Sequence, residues 1–355
     1  MKATLRRQVG QLLIVGLEGP ELTSIERAWL KLVRPGGVIL FRRNIEEARQ
    51  TVQLLREVTE IIGKSCFRCI DIEGGLVDRL RDLIAPMPSP AEVYATRKPA
   101  IFRKHGQLIA REARSLGFNT VFAPVLDLAL PVSADVLCNR AVSADPAGVT
   151  AYALPFLQEF AAEGILGCGK HFPGLGGSSL DSHQSMPVIQ RSWKEMWDED
   201  IAPFRALAVR LPMIMVAHAA YPQASGAAVP ASISPFWITK ILRQKIGYKG
   251  LVISDDMEMG GILTQRIIEE AAVNAVAAGT DILGVCKEPG LVIRAYESLL
   301  SEAESSPSFR RSVQLAARRM AHYKKQYQLK NFPGRFSSKV LENLRTEAKK
   351  FSTKI

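Results

Sequence analysis

Short runs of Val, Ile and Leu alternate along this chain with longer stretches in which apolar residues recur every three or four positions. The short runs predict strands at 12–16, 37–41, 69–72, 120–127, 167–172, 213–219, 250–254 and 281–285. The longer stretches predict helices at 45–62, 100–116, 149–163, 192–209, 235–246 and 264–278. Strands and helices in alternation are the pattern of a parallel sheet built from βα units. Several of the strand runs are apolar throughout, as strands buried on both faces are. Eight units in order are the count of a closed (β/α)8 barrel of the TIM type. No linker rich in Gly, Ser or Pro divides the chain. The expected organisation is therefore one α/β barrel over 1–290, with a helical extension, 291–355, packed on it.

Polar residues gather where these strands end: Arg42 and Asn44, Asp71 and Glu73, Asp127, Lys170 and His171, His218, Asp255 and Asp256. In this architecture an active site is built from the C-terminal strand ends and the loops after them. A single polar strand end is an ordinary cap. Several that combine acids, bases and cations point to a site.

Three segments carry the candidate chemistry. The first runs from Lys170-His171-Phe172-Pro173-Gly174 through Gly176-Gly177-Ser178 to Asp181-Ser182-His183. Its glycines, proline and serines make a loop too polar for the core. Asp181 and His183 are two residues apart, so a turn can bring carboxylate and imidazole together and prepare a general acid/base; a solvent-exposed histidine in a turn is the plainer alternative. In the second, the apolar run Leu251-Val252-Ile253 leads through Ser254 to Asp255-Asp256. Neighbouring strand residues face opposite ways, so one acid can enter the barrel mouth while the other anchors the loop; the pattern does not say which. The third is Asp71-Ile72-Glu73-Gly74-Gly75-Leu76-Val77-Asp78-Arg79. Here Asp71 can accept from ligand hydroxyls, Arg79 can donate, and the paired glycines permit a ligand close to the backbone. Arg140 adds a cation in the loop after the fourth strand.

Composition narrows the classes. Hydrophobic residues are 47% and charged residues 23%, ordinary for a globular chain, and no stretch approaches the ~20 apolar residues of a membrane span. Lys2, Arg6 and Arg7 precede a short apolar run, Leu12 to Val15, that reads as a buried first strand rather than a signal peptide. The five cysteines, Cys66, Cys69, Cys138, Cys168 and Cys286, are scattered and predict buried free thiols in a reducing, cytoplasmic setting. The net charge is +11. Much of the excess lies between Arg310 and Lys354, at helical spacing among Ala, Leu and Val, which predicts the solvated face of helices. Aromatic interleaving is missing there, so nucleic acid is not the expected partner. No segment marks a subunit interface.

The order of the motifs resembles glycoside hydrolase family 3, and within it the single-domain β-N-acetylglucosaminidases of cell-wall (peptidoglycan) recycling. The resemblance runs from about Gly10 to Val285. It rests on the Pro35 to Phe41 block, the Asp71 to Arg79 block, Phe122-Ala123-Pro124-Val125-Leu126-Asp127 and the Lys170 to His183 block. Met215-Val216-Ala217-His218, Ser232-Ile233-Ser234-Pro235, the Leu242 to Asp255 block and Ala278-Gly279-Thr280-Asp281 complete it. The resemblance implies Asp255 as nucleophile, His183 as acid/base and Asp181 as the partner of that histidine. It implies that Asp71, Arg79, Arg140, Lys170 and His171 hold the sugar's hydroxyls and N-acetyl group. The implied reaction is a retaining double displacement on a terminal β-linked N-acetylglucosamine, with neither metal nor cofactor. Leu175 and Gly177 stand where the family usually has His and Asp, Ile72 where Gln is usual and Leu76 where Arg is usual; Glu258 is also unusual. The readings set against this one are a β-glucosidase or glycoside phosphorylase of the same family, a metal-dependent hydrolase using His171, His183, His218 and Asp255, and a sugar-binding barrel without turnover.

Overall fold

The computed structural model describes residues 4–182, 185–329, 332 and 336–355. Eight parallel strands close a barrel: β1 (Leu13–Val15), β2 (Gly37–Leu40), β3 (Phe67–Ile70), β4 (Thr120–Val121), β5 (Leu166–Phe172), β6 (Met213–Val216), β7 (Leu251–Asp256) and β8 (Ile282–Val285). Each strand pairs with its neighbours in chain order. At the seam Leu13 of β1 lies beside Leu283 of β8, and on its other side Ile14 lies beside Gly37. Leu13, Ile14 and Val15 are fully buried because the barrel interior lies on one face and the helix ring on the other. Burying each such side chain contributes roughly 1.5–3 kcal/mol, which fixes these runs as the scaffold.

The expected strand 120–127 is shorter in the ladder. Only Thr120 and Val121 pair as a strand, followed by a single bridge from Val125 to Lys170. Pro124 lacks an N–H and interrupts the ladder. The segment still runs beside β5, where the amide of Leu126 donates to the Lys170 carbonyl at 2.7 Å. By contrast β7 extends past its expected end and includes both Asp255 and Asp256.

A small antiparallel hairpin, Ile72–Gly74 with Val77–Asp78, stands on the end of β3. Its glycines serve the fold rather than a ligand. Gly74 and Gly75 have φ of 96° and 61°. A Cβ on Gly74 would fall on the Pro88 carbonyl oxygen, and one on Gly75 would lie 2.6 Å from Ser89 Cβ. What approaches the backbone here is the chain itself.

The opposite, N-terminal end of the barrel is covered by the helix Pro307–Gln326. Met320 is fully buried there, and Lys324 is buried with its Nζ donating to Gln11 Oε1 at 2.6 Å. Arg319 pairs with Asp281 at 2.8 Å. Part of the basic helical face expected to be solvated therefore ties the helix to the barrel floor. The helix Ser338–Ser352 packs instead against the outer helix Pro99–Ser115. Among the described residues no helix is long and apolar enough to cross a membrane.

Candidate active site

A cavity of about 220 Å³ opens at the C-terminal end of the barrel. Asp71, Glu73, Arg79, Arg140, Lys170, His171, Asp181, Asp255 and Asp256 all line it, among apolar walls that include Phe41, Leu137, Leu175 and Met259. Residues 99 positions apart are brought into contact: Lys170 Nζ donates to Asp71 Oδ1 at 2.8 Å. The same ammonium lies 2.6 Å from Glu73 Oε1. Arg140 forks onto Glu73, with Nε on Oε2 at 2.8 Å and Nη2 on Oε1 at 2.9 Å. Two carboxylates and two cations thus neutralise one another along this wall.

Glu73 is the centre of this network. Its side chain is 1% exposed, and burial alone would raise its carboxyl; Arg140 and then Lys170 outweigh burial and hold it well below the usual carboxylate range. Burial likewise opposes the charge on Lys170, but Asp71 and Glu73 raise it. The sequence signal for Glu73 was its spacing. Positions 71 and 73 project to one side of an extended backbone, so a second acid two residues from Asp71 shares its face.

His171 is oriented by Asp127, a strand-end acid given no role in the sequence reading. Nδ1 lies 2.7 Å from Asp127 Oδ2, and because a carboxylate only accepts, Nδ1 carries the proton. Asp127 Oδ1 also accepts from the Leu175 amide at 2.7 Å. One buried carboxylate thereby fixes both the ring and the start of the loop after β5. Asp127→Asn keeps the shape but leaves only one acceptor atom for these two donors. It is expected to lower kcat/KM by roughly 10- to 100-fold with little change in melting temperature; wild-type kinetics in a folded variant would refute this role.

Asp255, the penultimate residue of β7, lines the cavity. Its Oδ1 accepts from the Asp256 amide at 2.9 Å. Burial would raise this carboxyl, yet His171, His218, that amide and Lys170 together bring it below its ordinary value. Asp256 behaves oppositely. Its Oδ1 accepts from the Glu258 amide at 3.1 Å, and burial, with Glu258 and Asp255 nearby, pushes its carboxyl up to about 7. The two adjacent acids therefore shift in opposite directions, Asp255 toward its ionised form and Asp256 toward its protonated form. His218 braces this strand end, with Nδ1 2.7 Å from Ser232 Oγ and Nε2 donating to the Asp256 carbonyl at 3.0 Å.

The loop after β5 is tied down at several points. Tyr221 OH donates to the Gly174 carbonyl at 2.9 Å, and the Gly261 amide donates to the Ser182 carbonyl at 2.9 Å. Asp181 lies at the cavity rim. His183 falls outside the described residues, so its pairing with Asp181 does too.

The unusual residues find places. Leu175 forms a buried part of the cavity wall. A Cβ on Gly177 would lie 2.8 Å from Ile189 Cγ2 and 2.9 Å from Arg191 Cδ, so a side chain here would have to displace Ile189 or Arg191. Ile72 is fully buried and Leu76 is exposed at the hairpin turn; neither lines the cavity. Glu258 accepts from the Lys287 and Glu288 amides at 2.8 and 3.0 Å, joining the loops after β7 and β8. Asn44 is a similar brace, donating to the carbonyls of Leu17 and Gly19. Among the described residues no group of three or more His, Cys, Asp or Glu side chains is arranged to hold a metal ion. The described thiols are free, with Cys138 exposed and the other four buried.

Residues 4–322 match the model of the glycosyl hydrolase family 3 N terminal domain. The chain belongs to glycosyl hydrolase family 3. It is 33% identical over 296 residues to a beta-hexosaminidase of Idiomarina loihiensis, covering 82% of this chain and 88% of that protein. It is 36% identical over 294 residues to one of Bordetella avium, covering 81% and 83%. The family 3 beta-N-acetylglucosaminidase of Paenibacillus sp. str. FPU-7 superposes with a TM-score of 0.90 at 28% identity, covering 99% of this chain and 69% of that one. The family 3 assignment makes this barrel a glycoside hydrolase and its substrate a carbohydrate.

Proposed function

We propose that this enzyme is a retaining exo-β-N-acetylglucosaminidase that releases terminal β-linked N-acetylglucosamine, as from muropeptides, in peptidoglycan recycling in the cytoplasm. The observation that carries the reading is the ionised Asp255 lining the same cavity as the Asp71–Lys170–Glu73–Arg140 network. The relatives named for hexosaminidase and acetylglucosaminidase activity support the sugar.

In this mechanism Asp255 attacks the anomeric carbon and forms an ester bond as the glycosidic C–O bond breaks. His183, partnered by Asp181, gives its proton to the departing oxygen. Neutral His183 then takes a proton from water, which attacks the same carbon and returns Asp255 as a carboxylate. Asp71, Arg79, Arg140, Lys170 and His171 hold the hydroxyls and the acetamido group. Arg79 lines the cavity, with its guanidinium 5.8 Å from the centroid of the Phe41 ring.

The test compares an aryl β-N-acetylglucosaminide with the matching aryl β-glucoside. A preference for the acetamido sugar of about 100-fold or more in kcat/KM is expected, since losing a group that buried donors recognise leaves them unpaired. Preference for the plain glucoside would retain the family and overturn the sugar. Release of N-acetylglucosamine unchanged by added phosphate would separate hydrolysis from phosphorolysis.

A further inference from the structure

We propose that Arg345, on the helix Ser338–Ser352, is a positioning residue for the sugar-binding hairpin, which it holds in place from outside the barrel through the loop 79–88. This rests on the reading that Asp71, Glu73 and Arg79 bind the sugar. The loop 79–88 follows the hairpin and contains no strand or helix. Its two ends are sewn to the hairpin: Asp78 accepts from the amides of Leu80 and Met87 at 3.0 and 3.1 Å, and the Gly75 amide donates to the Met87 carbonyl at 2.9 Å. The Arg79 amide reaches the Asp71 carbonyl at 3.3 Å. Any displacement of the loop is therefore passed to the residues facing the sugar.

The middle of the loop is held by the C-terminal helix. Arg345 donates twice to the Leu83 carbonyl, from Nε at 3.0 Å and Nη2 at 2.9 Å. At the last residue of the helix, Ser352 Oγ donates to the Pro86 carbonyl at 2.9 Å. The helix has its own footing. Glu347 takes both Arg111 nitrogens at 2.8 and 3.1 Å and Lys104 at 3.2 Å, and Leu341, Leu344 and Ala348 are buried. Phe351 stacks on His105 with ring centroids 5.9 Å apart, and a Cβ on Gly74 of the hairpin would lie 3.0 Å from His105 Nε2. The helix thus supports the hairpin both through the loop and from beneath. It lies beyond residue 322, where the family match ends.

A loosened hairpin grips ground state and transition state less well alike, so the loss falls on KM rather than kcat. Arg345→Ala is expected to raise KM about fivefold on the aryl β-N-acetylglucosaminide, with kcat within about twofold. Amides of residues 79–87 in the sugar-free protein should exchange with deuterium several-fold faster, while those of β1 and β8 stay unchanged. Arg345→Lys, with one donor geometry instead of a fork, should recover part of both. Ser352→Ala, a milder change, should move both readouts in the same direction. Glu347→Gln removes the footing contact alone, and it should lower the melting temperature while leaving KM in place. Unchanged loop exchange in Arg345→Ala, or an equal rise in KM from Glu347→Gln, would overturn the role. Failure of the wild type to turn over the acetamido sugar would instead overturn the proposed function; loop exchange needs no sugar and still decides the role of Arg345.

Discussion

Replacing Asp255 by alanine is expected to reduce kcat by on the order of 10⁴-fold, with the protein still folded. No other described group takes its place, because Asp256 is committed to the Glu258 amide and is drawn toward protonation near neutral pH. Asp256→Asn keeps an acceptor for that amide and should cost only about tenfold. Azide separates the two acids further. In Asp255→Ala it can occupy the vacated volume, attack the anomeric carbon directly and give a glycosyl azide of inverted configuration while the leaving oxygen is still protonated. Restoration of rate by azide, with an α-configured product, would assign the nucleophile. A dead Asp256→Asn beside an active Asp255→Ala would reverse the assignment. The sign of the electrostatics also constrains the pH profile. Because its neighbours hold Asp255 below its ordinary value, this carboxylate stays ionised as pH falls from 7 to 5. A loss of rate across that interval must then come from another group.

The barrel was legible in the sequence because it is written in local patterns. Eight apolar runs separated by amphipathic stretches survive any detail of side-chain packing, and the polar strand ends mark the mouth of the cavity. The fourth strand was misjudged in length because apolar content does not count donors, and Pro124 removes one from the ladder. The meaning of Gly74 and Gly75 was misread for a related reason: a glycine pair signals close approach without saying what approaches, and here it is Pro88 and Ser89. Individual residues at the site divide along the same line. Asp71, Lys170 and His171 were found as strand-end groups. The roles of Asp127 and Glu73 depend on partners 44 and 67 positions away, which no local pattern contains. The basic tail shows the limit most clearly. Helical spacing placed its charges outside, while Lys324, Arg319 and Arg345 reach back to groups that only the closed barrel presents.

Glu73 supplies the second large effect, and it acts on stability and catalysis together. Glu73→Ala removes the carboxylate that Arg140 and Lys170 share, leaving Asp71 to Lys170 and the Arg140 fork empty. An uncompensated buried cation costs about 3–5 kcal/mol, so the melting temperature should fall by roughly 10 °C. With both cations free to reorient, kcat/KM should fall by about 100-fold or more. Glu73→Gln retains the shape but turns an amide donor toward a cation, and it should be nearly as damaging. The pH dependence has a definite sign. The folded carboxyl is depressed, so its contribution is fully present above the unfolded value near 4.5 and is lost only as pH falls below it toward the folded value. Wild-type stability should therefore drop between about pH 4.5 and 2 more steeply than that of Glu73→Gln, whose melting temperature lacks this component. Parallel acid-unfolding curves for the two proteins, or a Glu73→Gln variant as active as wild type at pH 7, would show that the network is not what holds this site together. The converse result would mean that the charged cavity wall and the stability of the barrel mouth are one structure. Its four charges cannot then be altered singly to change specificity without a compensating change in their partners.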